Sequence, residues 1–185
     1  MQFTETQIKG VFEIAPRVLE DDRGGFFRLY CADELKKVGI HRPVVQTNIS
    51  INNKKGVLRG MHFQNLPSQE DKLVTCIQGA AFDVVVDLRK NSPTFLQWTS
   101  IELSAENKTV VCIPAGCAHG FITREDDTRL LYHHTDFYTP SCEGAFRYDD
   151  PQVGIEWPFE PIIISERDLS HKFLDKNFNG LDHEM

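Results

Sequence analysis

"DKLVTCIQGAAFDVVVDLR", residues 71–89, sets the fold class. The stretch divides at Gly79 into two short runs rich in β-branched and apolar residues. Each run is too short and too interrupted by charge to cross a bilayer, and each reads as a strand. Similar runs recur along the chain: "GVFEIAP", "GGFFRLYC", "PVVQTNISIN", "GVLRGMHFQ", "FLQWTSIELS", "KTVVCIPAG", "AHGFITRE" and "TRLLYHHTDFY". Turn residues part them at roughly ten-residue intervals, the signature of a sandwich or barrel. Only "CADELKKVG" (31–39) reads as a helix, with Gly39 as its stop, and the polar tail 165–185 has room for one more short helix. The expectation is one all-β domain over 1–185: a jelly-roll β-sandwich with a few short peripheral helices.

Composition narrows the function. The chain has 185 residues, 41% hydrophobic and 25% charged, with a formal net charge of −7. It has no basic block, which argues against a nucleic-acid partner. The N-terminus "MQFTETQIKGVFEIAPRV" lacks a basic start followed by an apolar core, so a cytoplasmic protein that does not enter a membrane is expected. The 5 cysteines form no C-x-x-C pair, and Cys76 and Cys112 read as small core residues inside strands.

Several strands carry polar groups where a core face would be apolar. Alternation puts Lys72, Val74, Cys76 and Gln78 on one face of their strand. It does the same for Leu130, Tyr132, His134, Asp136 and Tyr138. Polar side chains that point inward line the ligand pockets of small barrels. "GVLRGMHFQ" (56–64) adds Arg59 and His62. Strict alternation would place those two on opposite faces, and Gly60 between them offers a bulge that re-aims one of them.

"PAGCAH" (114–119) has the P-x-G-x-x-H form of the second half of the cupin signature. Cupins often bind a metal through two histidines and a glutamate of the first half plus this last histidine. Here Phe63 and Gln64 follow His62, so the H-x-H pair is missing, and Glu70 lies beyond the turn "NLPSQ". A stable site needs about three protein ligands. The sequence therefore predicts a barrel without a metal or cofactor, which leaves His62 free to move protons.

The chain resembles the dTDP-4-dehydrorhamnose 3,5-epimerase family over about residues 10–168. The resemblance is carried by "DRGGFFRLY", "QTNIS", "GVLRGMHFQ", "DKLV", "FDVVVDLRKNSPTF", "LSAEN", "IPAGCAHGF", "YTPSCEG", "IEWP" and "SERD", in that order. It implies an isomerase that inverts the carbons flanking the C4 ketone of a nucleotide-linked 4-keto-6-deoxy sugar. Such chemistry needs a base near neutrality, a group to hold the enolate oxygen and an acid on the face opposite the base. Imidazole suits the first task. The resemblance implies His62 as base, Asp168 as its carboxylate partner, Tyr132 as acid and Lys72 as the fixed charge beside the enolate. It implies Arg59 as an anion binder and further contacts from Arg23, Phe26, Gln46, Asn48, His119, Glu143 and Arg167, with Tyr138 stacking on the base. It also implies a homodimer, because the family's N-terminal strands reach the neighbouring subunit.

Taken singly, these residues have plainer readings: a core histidine, a barrel-lining aromatic, and a helix cap at Asp168. One position departs from the family. Its "R-G-x-F-x-E" ends in a glutamate that contacts thymine, whereas "RGGFFR" ends in Arg28. A guanidinium has only donors and would suit the acceptors of cytosine, so a CDP-linked sugar, inverted at one carbon only, is the alternative. A binding or sensing module on a decayed cupin, and a ketoisomerase of the same substrates, are the other readings.

Overall fold

The structure, a computed structural model, describes residues 1–183. Its strands, in chain order, are β1 (Gln2–Glu5), β2 (Phe12–Ala15), β3 (Val18–Asp21), β4 (Gly24–Phe27), β5 (Gln46–Asn52), β6 (Val57–Gln64) and β7 (Lys72–Gln78). Then come β8 (Ala80–Asp87), β9 (Trp98–Ser104), β10 (Val110–Ile113), β11 (Cys117–Thr123), β12 (Thr128–His134), β13 (Glu143–Ala145) and β14 (Ile163–Ile164). One sheet runs β1-β2-β10-β7-β12-β5. The other runs β13-β6-β11-β8-β9, with β14 paired parallel to β6. From β6 to β12 the chain passes repeatedly between the two sheets, as a jelly roll requires. The expected all-β sandwich is therefore observed.

The helices are as short as expected. Helix α1 (Ala32–Leu35) continues into a 3₁₀ turn, Lys36–Val38. Gly39 closes it in the left-handed conformation, at φ 88°. Helix α2 (Glu166–Ser170) is capped by Ser165, whose Oγ accepts from the Asp168 N–H at 3.0 Å.

The sheets bury both faces over much of their area. Val74, Cys76, Val85, Phe121 and Leu130 meet between them. Behind the second sheet, Met61, Val84, Val86 and Phe146 are covered by the C-terminal segment through Trp157, Leu174 and Phe178. Behind the first, Ile14, Leu73, Val110 and Cys112 meet Leu35 of α1. This double cover explains why β10 and β11 are buried at every residue, without the alternation of a half-solvated strand. Cys76 and Cys112 are core residues, as expected.

Strand β6 departs from regular pairing where the sequence placed a bulge. His62 faces His119 and Arg59 faces Phe121, so Gly60 and Met61 together oppose Gly120 alone. The extra residue turns Arg59 and His62 to the same side. Gly60 stands at φ 135°, a conformation open to glycine and strained for other residues.

Candidate active site

Between the sheets, at one end of the apolar core, lies a cavity of about 490 Å³. The second sheet supplies one wall, with Arg59 and His62 from β6 and His119 and Phe121 from β11. The first sheet supplies the wall opposite, with Asn48 and Ser50 from β5, Lys72 from β7, and Tyr132 and His134 from β12. Ser165, Arg167 and Asp168 close one side. Another hollow, about 550 Å³ between Tyr148 and Pro161, contains none of these groups, and its Asp149 is tied to Arg147 at 2.7 Å.

His62 and Asp168, 106 residues apart in sequence, are 2.8 Å apart: His62 Nε2 donates to Asp168 Oδ1. The Asp168 carboxyl is nearly buried and His62 is partly open to the cavity. Burial pushes the Asp168 carboxyl up, but the His62 bond and the Gly60 backbone outweigh it and hold the group below the usual carboxylate range. With Nε2 committed to the carboxylate, Nδ1 is the nitrogen left for a ligand.

On the opposite wall, the Tyr132 phenol lies 3.5 Å from Ser50 Oγ. Burial pushes its pKa far above that of a free tyrosine, with the Ser50 contact a smaller pull downward. The phenol therefore keeps its proton at neutral pH. Tyr132 stacks on His134 with ring centroids 6.0 Å apart. Lys72 Nζ is 3.2 Å from Glu70 Oε1, while His134 Nδ1 donates to Glu70 Oε2 at 2.7 Å. Burial raises the Glu70 carboxyl, but His134 and the Lys72 charge outweigh it and keep Glu70 below its ordinary range. His119 Nε2 donates to Asp83 Oδ2 at 2.7 Å, and burial pushes Asp83 upward against that pull.

The expected contact residues divide into three groups. Asn48, Arg59, His119 and Arg167 line the cavity with the catalytic candidates. Gln46, Tyr138 and Glu143 stand just outside it as a linked rim. Gln46 Oε1 accepts from the Tyr138 N–H at 3.2 Å, Tyr138 donates to Glu143 at 2.9 Å, and Glu143 pairs with Arg167. Arg23, Phe26 and Arg28 are not among the cavity's walls within one chain. Arg23 and Phe26 belong to the two-stranded β3–β4 hairpin, which pairs with neither large sheet. Arg23 is held by Asp21 at 3.1 Å, and Arg28 donates to Glu34 Oε1 at 2.7 Å.

Sequence reasoning missed the roles of Asp83, Glu70 and Ser50. Asp83 had a visible signal, an acid inside the apolar run "FDVVVD". Glu70 was considered only as a metal ligand, although its spacing of two from Lys72 placed it near that side chain.

A jelly-roll sandwich with a His–Asp pair on one wall and a proton-bearing tyrosine and a lysine on the other has the parts of a proton-transfer enzyme acting beside a carbonyl. The chain belongs to the dTDP-4-dehydrorhamnose 3,5-epimerase family, whose model matches residues 5–176. A dTDP-4-dehydrorhamnose 3,5-epimerase of Salmonella typhimurium is 44% identical over 93% of this chain and 94% of its own. The crystal structure of a dTDP-6-deoxy-D-glucose-3,5-epimerase from Legionella pneumophila in complex with dTDP-4-keto-L-rhamnose has a TM-score of 0.91, at 37% identity over 100% of this chain and 99% of that one. A 3'-monoepimerase from Streptomyces bikiniensis in complex with dTDP-quinovose is also similar, with a TM-score of 0.83 at 32% identity over 91% of this chain and 85% of that one.

Proposed function

We propose that this chain inverts carbons next to the C4 ketone of a dTDP-linked 4-keto-6-deoxyhexose, as a 3,5-epimerase that forms the 4-keto-rhamnose isomer. The observation that carries the reading is the placement of His62 and Tyr132 on opposite walls of one cavity. Inversion needs a base on one face of the sugar and an acid on the other.

His62 Nδ1 takes the proton on the carbon beside the ketone. The C–H electron pair becomes the enolate double bond, and charge moves to the C4 oxygen. Lys72 stabilises that charge, and Glu70 and His134 hold the lysine in place. Asp168 fixes the imidazole tautomer and stabilises the imidazolium that forms. Tyr132 returns a proton to the opposite face, the ketone re-forms, and His62 and Tyr132 are reset through solvent. Each step moves only a proton, which side chains carry without a cofactor. Arg59 and Arg167 bind the diphosphate.

The enzyme acts as a homodimer in the cytoplasm, with the whole chain as one catalytic domain. In support of the dimer, the β3–β4 hairpin stands apart with Phe26 74% exposed, and the edge strand β5 leaves Ile49 and Ile51 more than half exposed. A hairpin from a second copy laid along β5 brings Arg23, Phe26 and Arg28 to the cavity. No helix among the described residues is long and apolar enough to cross a membrane.

The relatives include a 3,5-epimerase and a 3'-monoepimerase, so the number of carbons inverted is read directly. Incubation with a panel of nucleotide-linked 4-keto-6-deoxy sugars in deuterated water, followed by NMR, gives both. Deuterium at C3 and C5 with inversion at both supports the proposal. Deuterium at one carbon reduces it to a monoepimerase, a C3 ketone product assigns a ketoisomerase, and no exchange with any sugar leaves only a binding module.

A further inference from the structure

The His62–Asp168 pair has a neighbour that the epimerisation does not use. His171, one turn beyond Asp168, places Nε2 3.6 Å from the same Asp168 Oδ1. Its ring meets that of His62 edge to face, with centroids 6.0 Å apart. Nε2 of His171 is sealed from solvent and has no hydrogen-bond partner among the described residues. A buried imidazole nitrogen left without a partner calls for an explanation.

We propose that His62, Asp168 and His171 form a binding site for a zinc-class cation, and that its occupation shuts the enzyme off. The ligand atoms of the three residues lie within 4.8 Å of one another. A tetrahedral ion with bonds of about 2.1 Å holds its ligands about 3.4 Å apart. The 2.8 and 3.6 Å separations to Asp168 Oδ1 bracket that spacing, so small side-chain shifts admit the ion. Two imidazoles and a carboxylate select Zn²⁺ over Mg²⁺ or Ca²⁺, which prefer oxygen ligands throughout. His62 and Asp168 line the cavity, whereas His171 stands behind them outside its walls.

The inhibitory half rests on the reading of His62 as base, and it follows from the tautomer. Catalysis needs the proton on Nε2, donated to Asp168, and a lone pair on Nδ1. A metal at Nε2 displaces the proton held there and bonds the Nε2 lone pair, and the neutral ring then carries its proton on Nδ1. His62 then remains neutral but has no free lone pair to accept the substrate proton. The site is thus inhibitory, and the uninhibited enzyme is metal-free.

The test begins with protein stripped by a chelator, which leaves turnover undiminished. Titration with CoCl₂ is expected to saturate at one equivalent with the intense visible bands of low-coordinate Co²⁺, displaced by ZnCl₂. Zn²⁺ is expected to stop deuterium incorporation, chelator to restore it, and Mg²⁺ and Ca²⁺ to do neither. His171→Leu is expected to keep its turnover and lose Zn²⁺ affinity by about tenfold or more, since loss of even an outer partner costs 10–100-fold. Absent or weak octahedral Co²⁺ bands in the unaltered protein overturn the site. Unchanged zinc binding in His171→Leu also overturns it. The cobalt spectrum reads binding alone, so failure of the epimerase reading and failure of the metal site remain distinguishable.

Discussion

Gly60 and Gly120 meet across the β6–β11 ladder so closely that a methyl group on Gly60 would sit 2.6 Å from the Gly120 Cα. That contact is where the bulge forms that turns Arg59 and His62 to one side. Gly60→Ala is expected to destabilise the fold by about 1–3 kcal/mol through its positive φ alone. It also displaces His62, and a misplacement of about 1 Å costs on the order of a hundredfold in rate. Thermal melts and turnover, measured on the same sample, check both. Unchanged turnover would show that the bulge does not aim the histidine.

Tyr132→Phe separates the acid from the base. His62 still abstracts a proton, so exchange of the substrate with deuterated water persists. Completed inversion falls by about 10²–10⁴-fold, the usual contribution of a positioned acid. Product NMR reads exchange and inversion together. Loss of exchange in equal measure would assign Tyr132 another task.

Asp168 links the site to stability. Its carboxyl is held below the ordinary value of 3.8, so it is charged in the folded state at pH values where the unfolded chain is already protonated. A depressed carboxylate contributes stability that is full above about pH 4 and is lost as pH falls through the folded value. Asp168→Asn removes this contribution. The melting-temperature difference between the two proteins is expected to shrink as pH falls below about 4. A difference that keeps growing below about pH 4 would reverse the assignment. The same variant is expected to lose most turnover at every pH, because an amide does not hold the imidazole tautomer.

Much of this was legible in the sequence because it is local. Turn residues and apolar runs marked the main strands, and Gly39 marked the end of α1. Alternation placed Lys72 with Val74 and Tyr132 with His134 on inner faces, where the structure has them. Gly60 announced the bulge. The short strands β1, β3, β13 and β14 were missed because "QFTE", "VLED", "EGA" and "II" are too short to carry a periodicity of their own and owe their pairing to neighbours. The pairings His62–Asp168, His119–Asp83 and His134–Glu70 join residues 106, 36 and 64 positions apart, so only the fold brings them together. Local pattern also has no reach beyond one chain, and within one chain Arg23, Phe26 and Arg28 are not among the cavity's walls.

Arg28 tests the nucleotide. Its guanidinium is engaged by Glu34 at 2.7 Å, which leaves fewer of its donors for a nucleotide base. Competition of dTDP against CDP in a binding titration is expected to favour dTDP, and Arg28→Ala to leave that preference in place. A CDP preference of about tenfold or more, the effect of one well-matched donor pair, that disappears in Arg28→Ala would assign cytosine to this site.

The central claim is that His62 is the base, and His62→Ala in deuterated water tests it most directly. With folding verified by circular dichroism, the variant is expected to lose deuterium incorporation at both C3 and C5 by about 10²–10⁴-fold. Exchange at the rate of the unaltered enzyme, at either carbon, would contradict the account.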